Sequence, residues 1–385
     1  MKKDSKRKTS RKAVAGKMSS RQICNLAAKQ RLTVGLDLGD HTLRYCILDE
    51  AGEVASEGSL AMREAELSSL FGKMPSSRIA LEAGTHSPWV SRKLKVLGHE
   101  VIVANPHKTK LITQSVRKND RLDAQKLARL ARADPKLLSP IQHRGEEAQA
   151  DLGVIRARAE LMEVRTSLIN SARGLVKPMG CRLRACDADQ VGISLAEGLP
   201  EAVKKVVGPL LSSVEMVSAQ LRKYDQTIEA MTERYPEVKL LTQVYGVGKL
   251  IGLTYLLTIE DPERFAHSRD VGAYVGLQPK QRESGKSQPE LSISKSGDEL
   301  LRRYLVQAAH CILKKGGPES DLRMWGLKKA EGGKKAKRRA VVAVARKLGV
   351  MLHMLWVTGQ VYDPLYNRKK AAEMGGGRGK TKTAA

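Results

Sequence analysis

The first regular pattern begins at Leu32, where LTVGLDLG alternates apolar with small or polar residues and predicts a strand. HTLRYCILDEAGEVASEG predicts two more strands around a turn at Glu50-Ala51-Gly52. A helical stretch from Met62 to Phe71 follows, and then RIALEAG, a short apolar strand that ends at Glu82. Ser87-Pro88 places a proline in the first turn of a helix that stops at Gly98. HEVIVANP is another buried strand, closed by Asn105-Pro106, and two helices complete the unit, the second carrying NDRLDAQKLARLA. Three strands and a helix, then strand-helix-strand-helix, is the order of an RNase H-type α/β domain, placed here over residues 32–145.

Residues 146–236 read as helical throughout. Leu161, Val164, Leu168, Ala172 and Leu175 fall on one face. A second helix repeats Val203, Val207, Leu210, Val214, Val217, Leu221, Tyr224, Ile228 and Met231 at alternating steps of four and three, a coiled-coil seam closed by Pro236. Its partner is the preceding helix or another subunit, and a homo-oligomer, dimer or tetramer, is expected. Residues 237–366 form a mainly α-helical domain. Its VYGVGKLIG segment resembles the glycine turn of a helix-hairpin-helix, with Gly246, Gly248 and Lys249 as candidate contacts to a nucleic-acid backbone. Residues 1–31 and 367–385 read as a basic disordered arm and tail.

Charge changes this picture most. The 385 residues carry a formal net charge of +27, which calls for a polyanionic partner. Aromatic residues are only 4%, so phosphate contacts by Lys and Arg should outweigh base stacking. Cys24, Cys46, Cys181, Cys186 and Cys311 form no zinc-ligand pattern and are expected to be free thiols in a reducing cytoplasm. No apolar run is expected to span a membrane, and the basic N-terminus lacks the apolar core of a secretory signal.

Four acids stand out. Asp37 sits in the apolar first strand, Glu82 ends the fourth, and Asp120 and Asp123 lie three apart on one helix face. In an RNase H order these converge, and an oxygen-only cluster of that kind suits Mg²⁺ or Mn²⁺. Read singly, each is a solvated group or a cap, Asp120 above all; for Asp37, a charge inside an apolar strand is costly without a role. A GLDLG strand also opens sugar-kinase and Hsp70-like ATPase folds, but the further nucleotide loops of those folds are missing in usable order.

The polar segment GLQPKQRESGKSQPELSISKSGDELLRRYL offers a nucleophile. Ser284 precedes a glycine, and Arg282, Lys286, Arg302 and Arg303 are near enough in sequence to balance phosphate charge. Ser287, Ser292, Ser294 and Ser296 are rivals that composition does not separate from it.

The pieces GLDLGDHTLRYCILDEAG, ALEAGTHSPWV, GHEVIVANPHKTK, RKNDRLDAQKLARLA, VYGVGKLIG, RFAHSRDVGAYVGLQPKQRESGKS and SISKSGDELLRRYL, in this order, resemble the DEDD-type insertion-sequence transposases, also called bridge-RNA-guided serine recombinases. The resemblance implies a RuvC-like RNase H domain, a coiled-coil linker and a transposase domain. It implies that Asp37, Glu82, Asp120 and Asp123 are the metal-binding tetrad and Ser284 the nucleophile. It further implies donor and target DNA as substrates, a structured guide RNA as partner, and multimers whose sites draw on different subunits. The long basic arm and the stretch from Gly180 to Pro200 depart from the pattern. The alternatives are a Mg²⁺-dependent junction-resolving nuclease that uses the carboxylates alone, and a non-catalytic basic RNA-binding protein.

Overall fold

The computed structural model describes residues 20–28, 31–113, 120–282, 284, 289 and 291–370, and for Ser20, Cys24, Ala27, residues 110–113 and Asp120 the backbone alone. The chain divides into two compact units, 1–144 and 145–385.

The first unit is built on a five-stranded sheet of β1 (Thr33–Leu38), β2 (Thr42–Leu48), β3 (Val54–Ala61), β4 (Arg78–Glu82) and β5 (Glu100–Ala104), in the order β3-β2-β1-β4-β5. The first three strands pair antiparallel, and β4 and β5 run parallel to β1. Helices α1 (Ser20–Ala27), α2 (Glu64–Phe71), α3 (Ser87–Val96), α4 (Pro106–Thr113) and α5 (Asp120–Ala133) complete the unit. This mixed sheet with its helices fits the RuvC-like expectation.

Strand parity divides the side chains. Val34, Leu36, Leu43, Tyr45, Ile79 and Leu81 form one core with Leu67, Phe71, Val90 and Leu94 of α2 and α3. On the other face, Cys46 and Leu48 pack with Ala124 and Ala128 of α5, while Ala80, Ile102 and Ala104 pack with Leu127 and Ala131. Gly35 lets α5 come this close, because a Cβ there would lie 2.0 Å from the Ala124 carbonyl oxygen and 2.6 Å from the Ala128 nitrogen. Both neighbours are backbone and cannot swing aside. Gly35→Ala is therefore expected to cost at least about 3 kcal/mol by forcing helix and sheet apart. An unchanged urea midpoint in the variant would refute this close approach.

One expectation fails at the N-terminus. Residues 20–27 of the supposed disordered arm are helical, with Ile23 only 1% exposed in the same core as β1 and Leu26 packed beside it. Two apolar residues three apart suffice to dock one short helix, however basic the flanking sequence. The remainder of that arm up to residue 19 and the tail from residue 371 lie outside the described residues.

The second unit contains α6 (Glu146–Leu175), α7 (Glu201–Met231), α8 (Glu237–Leu241), α9 (Lys249–Ile259), α10 (Val271–Tyr274), α11 (Glu299–Leu313), α12 (Asp321–Ala330) and α13 (Lys334–Thr358). The long seam of α7 packs on α6 of the same chain. Val203, Val207, Val214, Leu221, Ile228 and Met231 are buried as expected, but Leu211 and Ser218 take the places assigned to Leu210 and Val217. Ser218 faces the buried guanidinium of Arg165 at 3.5 Å, so that layer of the seam is polar. The stripe on α6 also differs: Ile155, Ala159, Arg165, Ile169 and Ala172 are buried, whereas Val164 and Leu175 are nearly half exposed.

The C-terminal core gathers around α9, buried on every side from Gly252 to Ile259, and α13. By length and composition α13 could cross a membrane, contrary to the expectation that no segment qualifies. Half of its apolar stretch is buried, and Val344, Ala345, Leu348, Leu352 and Leu355 belong to the core, which accounts for its hydrophobicity. Cys46, Cys181, Cys186 and Cys311 are free thiols.

Candidate functional site

Asp37 and Glu82 lie at the carboxyl ends of β1 and β4, two interior strands of the first unit's sheet. Leu36 of β1 pairs with Leu81 of β4 in parallel register, so the next residues along each strand, Asp37 and Glu82, follow side by side. Asp37 shares the face of Gly35, and Glu82 that of Ala80, which is the face α5 covers. Asp120 is the first residue of α5, one turn before the Ala124 that meets Gly35; its side chain lies outside the described residues. Asp123 is half-buried and accepts a hydrogen bond from Lys126 Nζ at 3.2 Å. Strand parity and the Gly35 contact thus bring three separate sequence segments to the C-terminal ends of two parallel strands. Among the described side chains no three acids, histidines or cysteines are close enough to hold an ion by themselves. The donor set is oxygen-only and so has the chemistry that Mg²⁺ or Mn²⁺ requires. Arg44, directly across the ladder from Asp37, supplies positive charge at the same end of the sheet.

Two residues at this end of the sheet escaped the sequence reading. Trp89 Nε1, which can only donate, lies 3.2 Å from His86 Nδ1, and this leaves the proton on Nε2. His86 Nε2 then donates to Asp40 Oδ1 at 3.0 Å, and that hydrogen bond is the main cause holding the Asp40 carboxyl below its ordinary range. Asp40 and His86 sit in the loops directly after β1 and β4, the strands that carry Asp37 and Glu82. The available signal was positional, because polar residues just past the carboxyl ends of adjacent parallel strands face a common crevice.

In the second unit, Ser284 is exposed. Its loop rises from a two-stranded stem in which Lys280 N–H donates to Ser292 O at 3.0 Å and Ser294 N–H donates to Gln278 O at 2.8 Å, with Pro279 bridging Ile293. Glycines close the base of the stem. A Cβ on Gly276 would lie 2.1 Å from Ser296 O, and one on Gly297 would lie 1.9 Å from Tyr274 O; both have positive φ. Ser292, Ser294 and Ser296 belong to the stem, while Gly285, Lys286 and Ser287 lie outside the described residues.

The other candidate contacts divide by what already occupies them. Arg282 is exposed beside Ser284. Arg302 donates to Val275 O and Ser296 O, both at 3.2 Å, and so braces the base of the stem. Arg303 pairs with Glu163 of α6, and Lys249 with Glu229 of α7. Gly246 meets α11 closely, since a Cβ there would lie 2.9 Å from Ala308 O; its glycine is required by packing. A Cβ on Gly248, at the N-terminus of α9, would meet nothing within 4 Å, so the approach to that helix end is open.

Comparison with known proteins finds two family models along the chain. One, described as a transposase of the DEDD type, matches residues 34–179, and the other, described as the transposase IS116/IS110/IS902 family, matches residues 238–323. The chain is 27% identical over 337 residues to the transposase for insertion sequence element IS1111A of Coxiella burnetii, covering 86% of this chain and 90% of that one. It is 22% identical over 286 residues to the transposase for insertion sequence element IS1328 of Yersinia enterocolitica, covering 73% and 84% respectively.

Proposed function

This chain belongs to the IS116/IS110/IS902 family of transposases, enzymes that cleave and rejoin DNA, and from that premise we propose that Ser284 is the nucleophile and the acids Asp37, Glu82, Asp120 and Asp123 the metal-binding half of the reaction. The observation that carries the serine assignment is its position: it is an exposed serine in the loop above a braced stem, two residues from the exposed Arg282, whereas Ser292, Ser294 and Ser296 belong to the stem itself. Its Oγ forms a bond to the scissile phosphorus as the bond to one deoxyribose oxygen breaks. The hydroxyl proton passes to a base, and the departing sugar oxygen takes up a proton. The serine phosphodiester keeps the energy of the broken bond, so attack by another DNA hydroxyl rejoins a strand and frees the serine without outside energy. Arg282 stabilises charge on the phosphate during both steps.

Asp37, Glu82, Asp120 and Asp123 would hold Mg²⁺ or Mn²⁺, which supplies neutralising charge for the phosphate oxygens. Without an ion, the carboxylates of Asp37, Glu82 and Asp123 would repel one another, and Arg44 and Lys126 offset part of that repulsion. A structured guide RNA and a homo-oligomeric assembly follow from the family resemblance and suit the net charge of +27. The test is to incubate the full chain with labelled DNA carrying the ends of its element, denature it, trim it with nuclease and map the adduct by mass spectrometry. A nucleotide on Ser284 is the expected result. Mg²⁺-dependent nicking with no adduct would instead support a nuclease that uses the carboxylates and water.

A further inference from the structure

A groove of 1240 Å³ runs between the stem below Ser284 and the N-terminal half of α13. Lys280 and Arg282 line it from the stem, and Arg338, Arg339, Arg346 and Lys347 from the helix. Among the described residues no Asp or Glu lines it. Lys280, Arg282, Arg338, Arg346 and Lys347 have no ion pair with a described carboxylate, unlike Arg303 and Lys249 elsewhere in this unit. So many cations around one hollow repel each other and lower the folded state's stability unless an anion is to sit there. Trp325 at the wall orients two of them, with Lys347 Nζ 4.1 Å and Lys329 Nζ 5.3 Å from its ring centroid.

The floor narrows the choice of polyanion. Leu291, Ile293, Val342 and Val350 make it apolar. A duplex presents phosphates, sugars and the edges of its bases but keeps the flat base faces stacked inside, so an apolar hollow between cationic walls finds no base face on it. A strand with unpaired bases offers both parts: phosphates for the walls and flat apolar base faces for the floor. The stem that forms one wall carries Ser284 at its loop, so a strand in the groove leads directly to the nucleophile.

We propose that this groove is the track for an unpaired DNA strand on its way to Ser284, with its phosphates on the Lys and Arg walls and its bases against the apolar floor. The proposal rests on Ser284 as the nucleophile for the direction of the strand and for DNA over RNA.

The test uses full-length Ser284→Ala protein, so that no chemistry intervenes, and fluorescein-labelled single-stranded DNA of twelve nucleotides read by anisotropy over a salt series. The triple variant Lys280→Ala, Arg338→Ala and Lys347→Ala removes three exposed cations, none with a described carboxylate partner. At about 0.7 per phosphate contact on a single strand, the slope of log K against log salt should become shallower by about 2. The charge-keeping set Lys280→Arg, Arg338→Lys and Lys347→Arg should restore it. Single-stranded DNA carrying 5-iodouracil should photo-cross-link to Trp325. An unchanged slope, a cross-link that bypasses the groove, or equal competition by duplex DNA or single-stranded RNA of the same length would overturn the track. Should wild-type protein form no adduct while the slope change and cross-link persist, the serine assignment fails and the groove stands as a DNA site. An adduct at full yield from the triple variant with its serine intact would remove the groove alone.

Discussion

Ser284→Ala is expected to eliminate the covalent protein–DNA adduct and to lower recombinant product by on the order of a thousand-fold or more, because the oxygen proposed to carry the phosphate would be gone. The fold should be indifferent, since Ser284 is exposed and its loop is held by backbone pairs of the stem and by Arg302 at the base. Binding of labelled element DNA should match the wild type. Denaturing gels with that DNA read the adduct, and melting curves read the fold. Full adduct yield from Ser284→Ala would reassign the nucleophile to Ser287, Ser292, Ser294 or Ser296. Of these, Ser292 and Ser294 have their backbones committed to the stem ladder, so they have less freedom to meet a phosphate.

Asp37→Asn is the second large effect. It keeps the shape of β1 and removes one charge from the acidic end of the sheet. If Asp37 holds the ion as proposed, its loss removes several kcal/mol of charge stabilisation, which corresponds to a drop in strand cleavage of at least about a hundred-fold. Stability without added metal should hold or rise, because one repulsive charge has gone. Calorimetric titration should show weaker Mg²⁺ binding, a readout independent of DNA. Mixing Asp37→Asn with Ser284→Ala protein should recover part of the activity if one site takes its acids and its serine from different subunits. Normal cleavage by Asp37→Asn alone would remove these acids from the reaction.

Local pattern by itself determined most of the first unit. Alternation with a period of two fixes both where a strand lies and which face each residue takes, so β1 through β5 and the helices between them could be read from residue order. A carboxylate inside VGLDLG also marked itself, because an acid in an apolar strand conflicts with its neighbours. The motif order was enough to suggest the family.

Other features were decided only by tertiary structure. Apolar residues on a long helix repeat at a period between 3.5 and 3.6, so over thirty residues the buried stripe drifts by a position. The neighbour then selects Leu211 over Leu210 and leaves Val164 exposed. Ile23 is buried because a core has room for it, which no charge count of the arm reveals. Arg302, Arg303 and Lys249 look like free cations in sequence, and whether a cation is free depends on what folds against it. The same holds for function. Asp40 and His86 are forty-six positions apart, and only β1 lying beside β4 joins them. The groove below Ser284 is made from two segments separated by dozens of residues, each ordinary alone, and its charge and apolar floor exist only where the stem meets α13. The sequence determined which residues can do chemistry, and the tertiary structure decided which of them stand together, because proximity across a chain is set by packing and not by order.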